Sequence, residues 1–324
     1  MSEQAGEEAT GQVNFPLLPY SYVVGQDELR EMLKIAYVMG SSVGGVLVSG
    51  ERGTAKSTIA RSFAYMMHSA LPTTLPINAT DDRVMGGWNI DALMKGNPVP
   101  KEGLLKQANK TGMLYIDEVN LLDDHIVNLI LDAVSTGVLD VQRDGIDDPE
   151  DNVSFMLVGT MNPDEGSLRP QMLDRFGLFV PVKADRKPEI RAEILERVLR
   201  FDTERGRSGS DWIEKGKRQD QQQKNRVNEA KRKASRVEVT DETIKLCARV
   251  AAEFDAVGHR AEIVMAKAAR AHAAFADRGR TEPRDVREIA PYAIMHRRRD
   301  AAYAEGFDWV QKDKDLLEKL IPEE

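Results

Sequence analysis

Cysteine is nearly absent from this sequence of 324 residues, in which Cys247 is the only one. A single cysteine excludes an internal disulfide and any metal cluster built on several thiolates. Long apolar runs are also missing, since none approaches the roughly 18 residues that a helix needs to cross a bilayer. A basic leader is missing too, because residues 1–15 are acidic, whereas signal and transit peptides begin with basic residues. We therefore expect a disordered N-terminal tail and a cytoplasmic protein.

Positive charge is in short supply as well, and the formal net charge at pH 7 is -8. Because contacts to nucleic-acid phosphates need clustered lysine and arginine, this balance argues against a general nucleic-acid binder. The basic stretch His296–Arg299 is an exception, and we interpret it as the solvated end of a helix. The five histidines show no ligand spacing, and His125 is interpreted as a surface residue of a helix.

What the sequence does contain is an eight-residue loop, GERGTAKS, at Gly50–Ser57. The apolar run GGVLVSG leads into it, as expected of a buried parallel strand, and an apolar helix face that includes Ile59 and Phe63 follows it. In this setting successive backbone N–H groups and the helix N-terminus form a concave anion site. Lys56 would reach the β- and γ-phosphates, and the Ser57 hydroxyl would bind Mg²⁺. The loop therefore predicts a nucleoside triphosphate site.

One position departs from the usual spelling G-x-x-x-x-G-K-[ST], because Ala55 stands where the last glycine belongs. If this position needs a positive φ, alanine costs about 1–2 kcal/mol, and if φ is negative the cost is small. The loop could therefore be a working site, a ruined one or a coincidence. Lys56, Ser57, Asp117 and Glu118 are all present, whereas a dead site would more often have lost one of them. We interpret the site as working.

Polar residues end two further predicted strands. Asp117 and Glu118 follow the apolar run GMLYI, and Asn162 ends the run SFMLVGTMN. Because the carboxyl ends of parallel strands meet at one edge of a sheet, these residues should lie beside the phosphate loop. Asp117 can then hold Mg²⁺ through water, and Glu118 can polarise an attacking water as general base. Asn162 can hydrogen-bond the γ-phosphate or position that water.

Arg175 lies near the end of the stretch LRPQMLDRF, whose pattern predicts a short helix, and it has two interpretations. It could be an arginine finger, a cation that stabilises charge on the transferring phosphoryl group. It could instead be a buried arginine bonded to Asp174. The residues themselves leave both open.

The composition changes from Lys187 onward. An amphipathic stretch comes first, and residues 202–236 are then rich in Gln, Lys and Arg and nearly free of core residues, which favours a linker or a solvated helix. Three helical patterns beginning near Thr240, Arg260 and Thr281 predict a small helical lid. The predicted organisation is a disordered tail at 1–15, a nucleotide-binding core at 16–184, a helical connection at 185–236, a lid at 237–300 and a C-terminal tail at 301–324.

In this order the motifs resemble those of an AAA+ ATPase. The stretches VVGQDELREML, GGVLVSGERGTAKST, YIDEVNLLDDHIVNLILDAVSTG and LVGTMNPDEGSLRPQMLDRFGL are similar to the magnesium-chelatase I-type ATPase subunit. The resemblance implies an α/β fold, with a parallel sheet flanked by helices in an AAA+ P-loop core and a smaller C-terminal all-α lid. It also implies ATP and Mg²⁺ as ligands, and two insertions, at 82–108 and 137–155, that line the pore of a ring in relatives.

The resemblance implies a role for each matching residue. Asp117 and Glu118 match the Walker B pair, and Asn162 matches sensor 1. Arg175 matches the arginine finger, which in this family acts on the neighbouring subunit's ATP. Arg260 matches sensor 2, the lid arginine that reports on the γ-phosphate, although a solvent-facing arginine at a helix start is its alternative. The loop residues that would bind nucleotide are Gly50, Glu51, Arg52, Gly53, Thr54, Ala55, Lys56, Ser57 and Thr58, with Ser57 and Asp117 also binding Mg²⁺.

Three motor functions are compatible with this resemblance. The first is a homo-hexameric ring that drives a D-type companion and a separate catalytic subunit to insert Mg²⁺ into a porphyrin. The second is a MoxR-type chaperone ATPase that works with a von Willebrand A-domain partner, in a branch that commonly has alanine before the loop lysine. The third is a DNA-translocating ring, against which the acidic net charge argues.

Overall fold

This computed structural model of the chain describes residues 17–88, 92, 94–97, 99–139, 142–143, 146–147, 151–207, 209–299 and 307–323. The tail predicted at 1–15 lies outside the described residues. At the centre is a five-stranded parallel sheet formed by β1 (Val46–Ser49), β2 (Thr73–Leu75), β5 (Met113–Ile116), β10 (Met156–Met161) and β11 (Leu178–Pro181). The strand order is β11-β1-β10-β5-β2.

Both faces of this sheet are covered, which explains why its strands are apolar without alternation. Successive side chains of a strand point to opposite faces. Val46 and Val48 accordingly enter one hydrophobic core, whereas Leu47 enters a second core together with Phe179. The two predicted layers of helices are therefore present. The core helices are α1 (Asp27–Met39), α2 (Lys56–His68), α3 (Asp81–Met85), α4 (Leu104–Thr111), α5 (Asp124–Thr136) and α6 (Pro170–Leu173).

Three antiparallel strand pairs lie within the two stretches that we predicted as insertions. The first stretch holds β3 (Gly86–Trp88) paired with β4 (Pro100–Glu102). The second holds two pairs, formed by β6 (Val138–Leu139) with β9 (Asp151–Asn152) and by β7 (Gln142–Arg143) with β8 (Ile146–Asp147). Parts of both stretches lie outside the described residues, and their pore-lining role stays a prediction.

The C-terminal half is helical, as predicted. Its helices are α7 (Pro188–Glu204), α8 (Asp211–Ala234), α9 (Asp241–Glu253), α10 (Arg260–Phe275), α11 (Pro283–Ile294) and α12 (Gln311–Leu320). Thr240 caps α9 as predicted, with its hydroxyl accepting from the Thr243 N–H at 3.2 Å. Among the described residues, no helix combines the length and the apolar character that a membrane span requires.

Three expectations for this half were wrong. The stretch at 202–236 contains the helix that was one of its two interpretations, but it is not nearly free of core residues, because α8 buries one edge, including Trp212 and Val227, against the rest of the chain. The stretch predicted as a C-terminal tail contains α12, whose Leu317 packs into the core shared with the lid. His296 and Arg297 are buried rather than solvated. Periodicity missed the first two because only a few apolar side chains, spaced along polar helices, carry the packing. His296 and Arg297 were missed because a run of basic residues ordinarily indicates solvent.

Candidate nucleotide-binding site

The phosphate loop lies at the carboxyl edge of the sheet, between β1 and α2. The Gly50 N–H donates to the Met161 carbonyl at 3.1 Å, which ties the loop to the neighbouring strand. A Cβ at Gly50 would stand 2.1 Å from the Val182 carbonyl oxygen, so only glycine fits there. Gly53 has a φ of +79°, which glycine adopts without strain. The Thr54 hydroxyl donates to the Glu51 carbonyl at 2.9 Å and closes the turn.

Ala55 has a φ of +63°, in the left-handed region. The positive-φ alternative therefore applies, and the methyl group costs about 1–2 kcal/mol relative to glycine. The loop nevertheless leads directly into α2, because the Ile59 N–H donates to the Ala55 carbonyl at 2.9 Å. The substitution thus strains the backbone without changing the strand–loop–helix arrangement that binds anions.

Lys56 and Ser57 occupy the first turn of α2. The Lys56 ammonium donates to the Glu51 carbonyl at 2.7 Å and also to the Gly50 carbonyl, so it lies over the loop. Burial lowers the pKa of Lys56, and the nearby carboxylates of Asp117 and Glu118 oppose that shift. The half-buried cation therefore faces both predicted acids across the loop.

Asp117 follows β5 directly, and the sheet places it beside Thr160 of β10. The Thr160 hydroxyl donates to Asp117 Oδ1 at 2.7 Å, and the Tyr115 hydroxyl donates to the same oxygen at 3.0 Å. Both of these hydroxyl-bearing residues are fully buried. Burial is also the main reason why the pKa of Tyr115 is raised, so it remains a hydroxyl donor. Thr160 and Tyr115 thus fix the carboxylate, a role that the sequence did not reveal for either residue.

Glu118 has a φ of +52°, an uncommon backbone conformation for a residue other than glycine. Its N–H donates to the Thr160 hydroxyl at 3.2 Å, and its carboxylate lies 3.4 Å from the guanidinium of Arg52. Glu165 binds the same guanidinium. The predicted general base therefore lies at the loop, in contact with a loop residue.

Asn162 is buried and follows β10, one position after the residue that pairs with Ser49. Its side-chain oxygen faces the N–H of Asp164 at 3.4 Å, a long contact at the start of the 3₁₀ turn Pro163–Glu165. The sheet register thus brings Asn162 next to the phosphate loop, where the sequence placed it.

Arg175 and Arg260 lie elsewhere on the described surface, around the junction of core and lid. Arg175 donates to Asp132 of α5 at 2.7 Å, and its side chain is 34% exposed. Arg260 donates to the Asp174 carbonyl at 3.3 Å. The buried arginine bonded to the Asp174 carboxylate is Arg297, not Arg175.

Arg297 joins the lid to the core. Its side chain is fully buried and bonds Asp174 twice, at 3.0 Å to the carboxylate and at 2.7 Å to the carbonyl. Burial lowers the pKa of Arg297 to about 10, and Asp174 opposes the shift, so the residue stays charged at neutral pH. The guanidinium also donates to the carbonyl groups of Phe176, Gly177 and Ala293.

The donor set at the loop fits a hard cation such as Mg²⁺. Ser57 and Asp117 offer hard oxygen ligands, and Mg²⁺ is usually held by one or two such groups together with waters and substrate phosphates. No group of three His, Cys, Asp or Glu side chains that could hold a metal occurs in the part of the chain that the structure describes. The residues present therefore suit a metal that arrives with a nucleotide.

Known proteins are similar to this chain in sequence. A family profile for AAA domains of the dynein-related subfamily matches residues 45–176, and a profile for AAA lid domains matches residues 244–320. The magnesium-chelatase subunit ChlI of Olisthodiscus luteus is 35% identical over 335 residues, covering 95% of this chain and 98% of that subunit. This chain belongs to the magnesium-chelatase ChlI family of AAA+ proteins.

Two further proteins are similar to this chain, one in sequence and one in structure. An uncharacterized protein of Mycobacterium tuberculosis is 38% identical over 94% of this chain, but the chain spans only 48% of that protein's length. A solved structure of a candidate ATPase from Cytophaga hutchinsonii has a TM-score of 0.65 and covers 93% of this chain and 91% of its own, at 20% identity. That structure supports the AAA+ fold alone.

The two family profiles match different parts of this ChlI-family chain, and each part contains residues of the candidate site. The AAA match includes the loop, the acid pair, Asn162 and Arg175. The lid match includes Arg260, Arg297 and the whole of α12. The last helix is therefore part of the lid domain rather than a tail, in agreement with its packing.

Proposed function

We propose that this chain is the ATP-hydrolysing motor subunit of a magnesium-chelatase-type complex. One observation carries the proposal: the phosphate loop and the acids beside it occur in a chain that matches a ChlI subunit over nearly its full length. Chelation itself is assigned to a separate catalytic subunit, because this chain supplies the residues for nucleotide hydrolysis.

The proposed roles follow from the positions of the side chains. The Lys56 ammonium and the loop N–H groups would bind the phosphates. Ser57 and Asp117 would hold Mg²⁺, whose charge would offset the negative charge of the phosphates. The Glu118 carboxylate accepts a proton from the attacking water. Asn162, at the neighbouring strand end, orients that water or the γ-phosphate. Thr160 keeps the Asp117 carboxylate in place.

Phosphate release from ATP and Mg²⁺ by the purified full chain tests the motor assignment. We expect steady hydrolysis, which Lys56→Ala abolishes together with nucleotide binding, because the loop then lacks its cation. The chelatase assignment needs a second assay, in which the chain, a D-type companion and a catalytic subunit convert a porphyrin to its magnesium form. Failure of insertion with companions that are active with a bona fide ChlI subunit would contradict it.

We also propose that the chain works as a ring, a homo-hexamer, in which Arg175 of one subunit acts on the nucleotide of the next. Arg175 and Arg260 contact the Asp132 and Asp174 groups of their own chain rather than the loop, which supports completion of the site by a neighbour. Mixing Arg175→Ala with Glu118→Gln subunits should restore part of the lost hydrolysis, since some interfaces then combine an intact arginine with an intact base. Absence of rescue at every mixing ratio would argue against action between subunits.

A second candidate is a MoxR-type chaperone ATPase with a von Willebrand A-domain partner. One observation favours keeping it: the relative with 38% identity is about twice as long as this chain and is not named as a chelatase subunit. Affinity purification from the native host distinguishes the two, because recovery of a D-type subunit supports the chelatase and recovery of a client unrelated to porphyrins supports the chaperone.

A further inference from the structure

Arg52 connects the phosphate loop to two carboxylates that do not belong to it. Its guanidinium lies 3.4 Å from Glu118 Oε1 and binds Glu165 through the same nitrogen. The arginine side chain is 71% exposed, whereas those of Glu118 and Glu165 are only 25% and 24% exposed. One exposed cation is therefore shared by two largely buried acids.

The backbone brings these three residues together. Arg52 lies in the loop between Gly50 and Gly53, and Glu118 leads into the 3₁₀ turn Val119–Leu121. Glu165 ends the turn Pro163–Glu165, where its N–H donates to the Asn162 carbonyl at 3.1 Å. The Asn120 side chain donates to the Gly166 carbonyl at 3.3 Å and so links the two turns. Each acid thus sits on a turn that follows a sheet strand, and only the arginine belongs to the loop.

The contacts of Arg52 are of a kind that can be exchanged. A separation of 3.4 Å from Glu118 is long for a hydrogen bond, and ion pairs of an exposed arginine contribute little to stability. A guanidinium also matches phosphate oxygens in a two-pronged geometry, with stronger bonds than those to neutral groups. A triphosphate in the loop would therefore compete for Arg52 against Glu118 and Glu165.

Glu165 is the acid that opposes this exchange. Its second carboxylate oxygen, Oε2, is buried without a hydrogen-bond partner within the described residues. A carboxylate in that setting depends on the cation that contacts it, because a partly buried charge is costly when its partner leaves. Transfer of Arg52 to a phosphate therefore carries a cost that Glu165 imposes.

We propose that Arg52 reads the terminal phosphate of the nucleotide within its own subunit, leaving Glu165 and freeing Glu118 when a triphosphate is bound. This inference rests on the proposed ATPase function and adds a residue that distinguishes triphosphate from diphosphate. Arg52 acts on the reaction through Glu118 and is a positioning residue with respect to the chemistry. Glu165 sets how readily the exchange takes place.

Binding of a fluorescent non-hydrolysable ATP analogue and of the matching ADP, with Mg²⁺ and the full chain, tests this directly. In Arg52→Gln the preference for the triphosphate analogue over ADP should fall about tenfold, with the Kd for ADP changed less than about twofold, because only the terminal phosphate loses a ligand. Arg52→Lys, which keeps the charge, should restore part of the preference.

Glu165→Gln should have the opposite effect on binding of the triphosphate analogue. Removing the competing charge should tighten binding of the triphosphate analogue severalfold and leave ADP unchanged. Arg205→Gln, which breaks an exposed ion pair with Asp202 on α7, is the matched control and should change neither Kd. Thermal unfolding should be unchanged in Arg205→Gln, whose ion pair is exposed, whereas Arg52→Gln should unfold at a slightly lower temperature because Glu165 loses its cation.

Equal weakening of both nucleotides in Arg52→Gln, or weaker triphosphate binding in Glu165→Gln, would overturn the proposal. These outcomes differ from failure of the proposed function, in which the unmodified chain would bind neither nucleotide or would bind them without hydrolysis. Loss of binding in Arg205→Gln would show a nonspecific effect and likewise count against it.

Discussion

Arg52 at the phosphate loop and Arg297 between core and lid show how differently this chain uses one residue type. Arg52 is mostly exposed and contacts two carboxylates, whereas the Arg297 side chain is fully buried and bonds one carboxylate and several carbonyl groups. The first cation can exchange its carboxylate partners for another anion at the surface, against the cost that Glu165 imposes. The second cannot be separated from Asp174 in this way, because an unpaired charge in the interior costs several kcal/mol. The loop edge should therefore govern turnover, and the core–lid contact should govern stability.

The largest expected effect lies at the loop edge. Glu118→Gln should lower kcat by about 100- to 10,000-fold, because the amide cannot accept the proton of the attacking water. The Kd for ATP should change little, since Lys56, Ser57 and Asp117 remain. Phosphate release and equilibrium nucleotide binding, measured on the same preparation, check both parts.

The same variant also tests whether the loop edge governs turnover without governing stability. Thermal unfolding of Glu118→Gln should match that of the unmodified chain, because its partner Arg52 is exposed. A large drop in melting temperature, or loss of binding equal to the loss of turnover, would mean that Glu118 holds the fold rather than acting on water.

A substitution at the core–lid contact, in contrast, should lower the stability of the fold. Arg297→Met removes a buried cation and the hydrogen bonds that it donates to Asp174 and to the carbonyl groups of Phe176 and Gly177, which should reduce the free energy of unfolding by about 3–5 kcal/mol. Urea unfolding followed by circular dichroism measures it. Arg299→Gln is the control, because Arg299 makes an exposed pair with Asp255 and should cost about 1 kcal/mol or less. Similar losses in both variants would remove the distinction based on burial.

The placement of residues at the loop edge could be predicted from the sequence to a greater extent than the core–lid contact. Asp117 and Asn162 could be predicted because each directly follows an apolar strand, and Lys56 because it ends a loop that follows one; the edge of a parallel sheet collects such residues. Ala55 was an open question, since its cost depends on φ, which one residue's identity does not fix. Their functional roles remain proposals, whereas their placement at one edge is a property of the structure.

The core–lid contact could not be predicted in this way. Arg297 bonds Asp174 across 123 positions of the chain, and a run of basic residues ordinarily indicates solvent. Thr160 was missed for a related reason, because a threonine inside an apolar strand gives no sign of the carboxylate on the next strand. Periodicity reports which face of an element is buried, but not which polar group it meets there.

His296 gives a smaller effect on the stability side. Burial, followed by the nearby charge of Arg297, lowers the pKa of His296 well below its ordinary value of 6.5. The folded chain then holds a neutral imidazole while the unfolded chain binds a proton below pH 6.5. Stability present above that pH should therefore be lost as the pH falls, by about 1.4 kcal/mol per unit from this residue until the folded-state pKa is reached.

His296→Phe should flatten this dependence, since phenylalanine keeps a ring to stack on Phe179 and cannot be protonated. Urea unfolding at a series of pH values from 5 to 8 measures the difference in slope between the two proteins. His68 also has a pKa lowered by burial and contributes in the same direction in both. The exposed His259, changed to Gln, serves as control. An unchanged slope in His296→Phe would show that the acid loss of stability arises elsewhere.

Ala55→Gly should have the smallest effect and tests whether the loop edge stores strain. Relief of the positive φ stabilises the folded chain by about 1–2 kcal/mol, and the greater freedom of glycine in the unfolded chain takes back about 0.4–1 kcal/mol. We expect a net gain of between zero and about 1.6 kcal/mol in urea unfolding. The Kd for ATP should change little because the charged loop residues are untouched. Ala60→Gly, in the buried middle of α2, is the matched control and should cost about 1 kcal/mol or more, since glycine there loses helix propensity and a packed methyl group. If both glycine variants lose stability to the same extent, the conformation of Ala55 carries no strain, and the tolerance of the loop for alanine needs another cause.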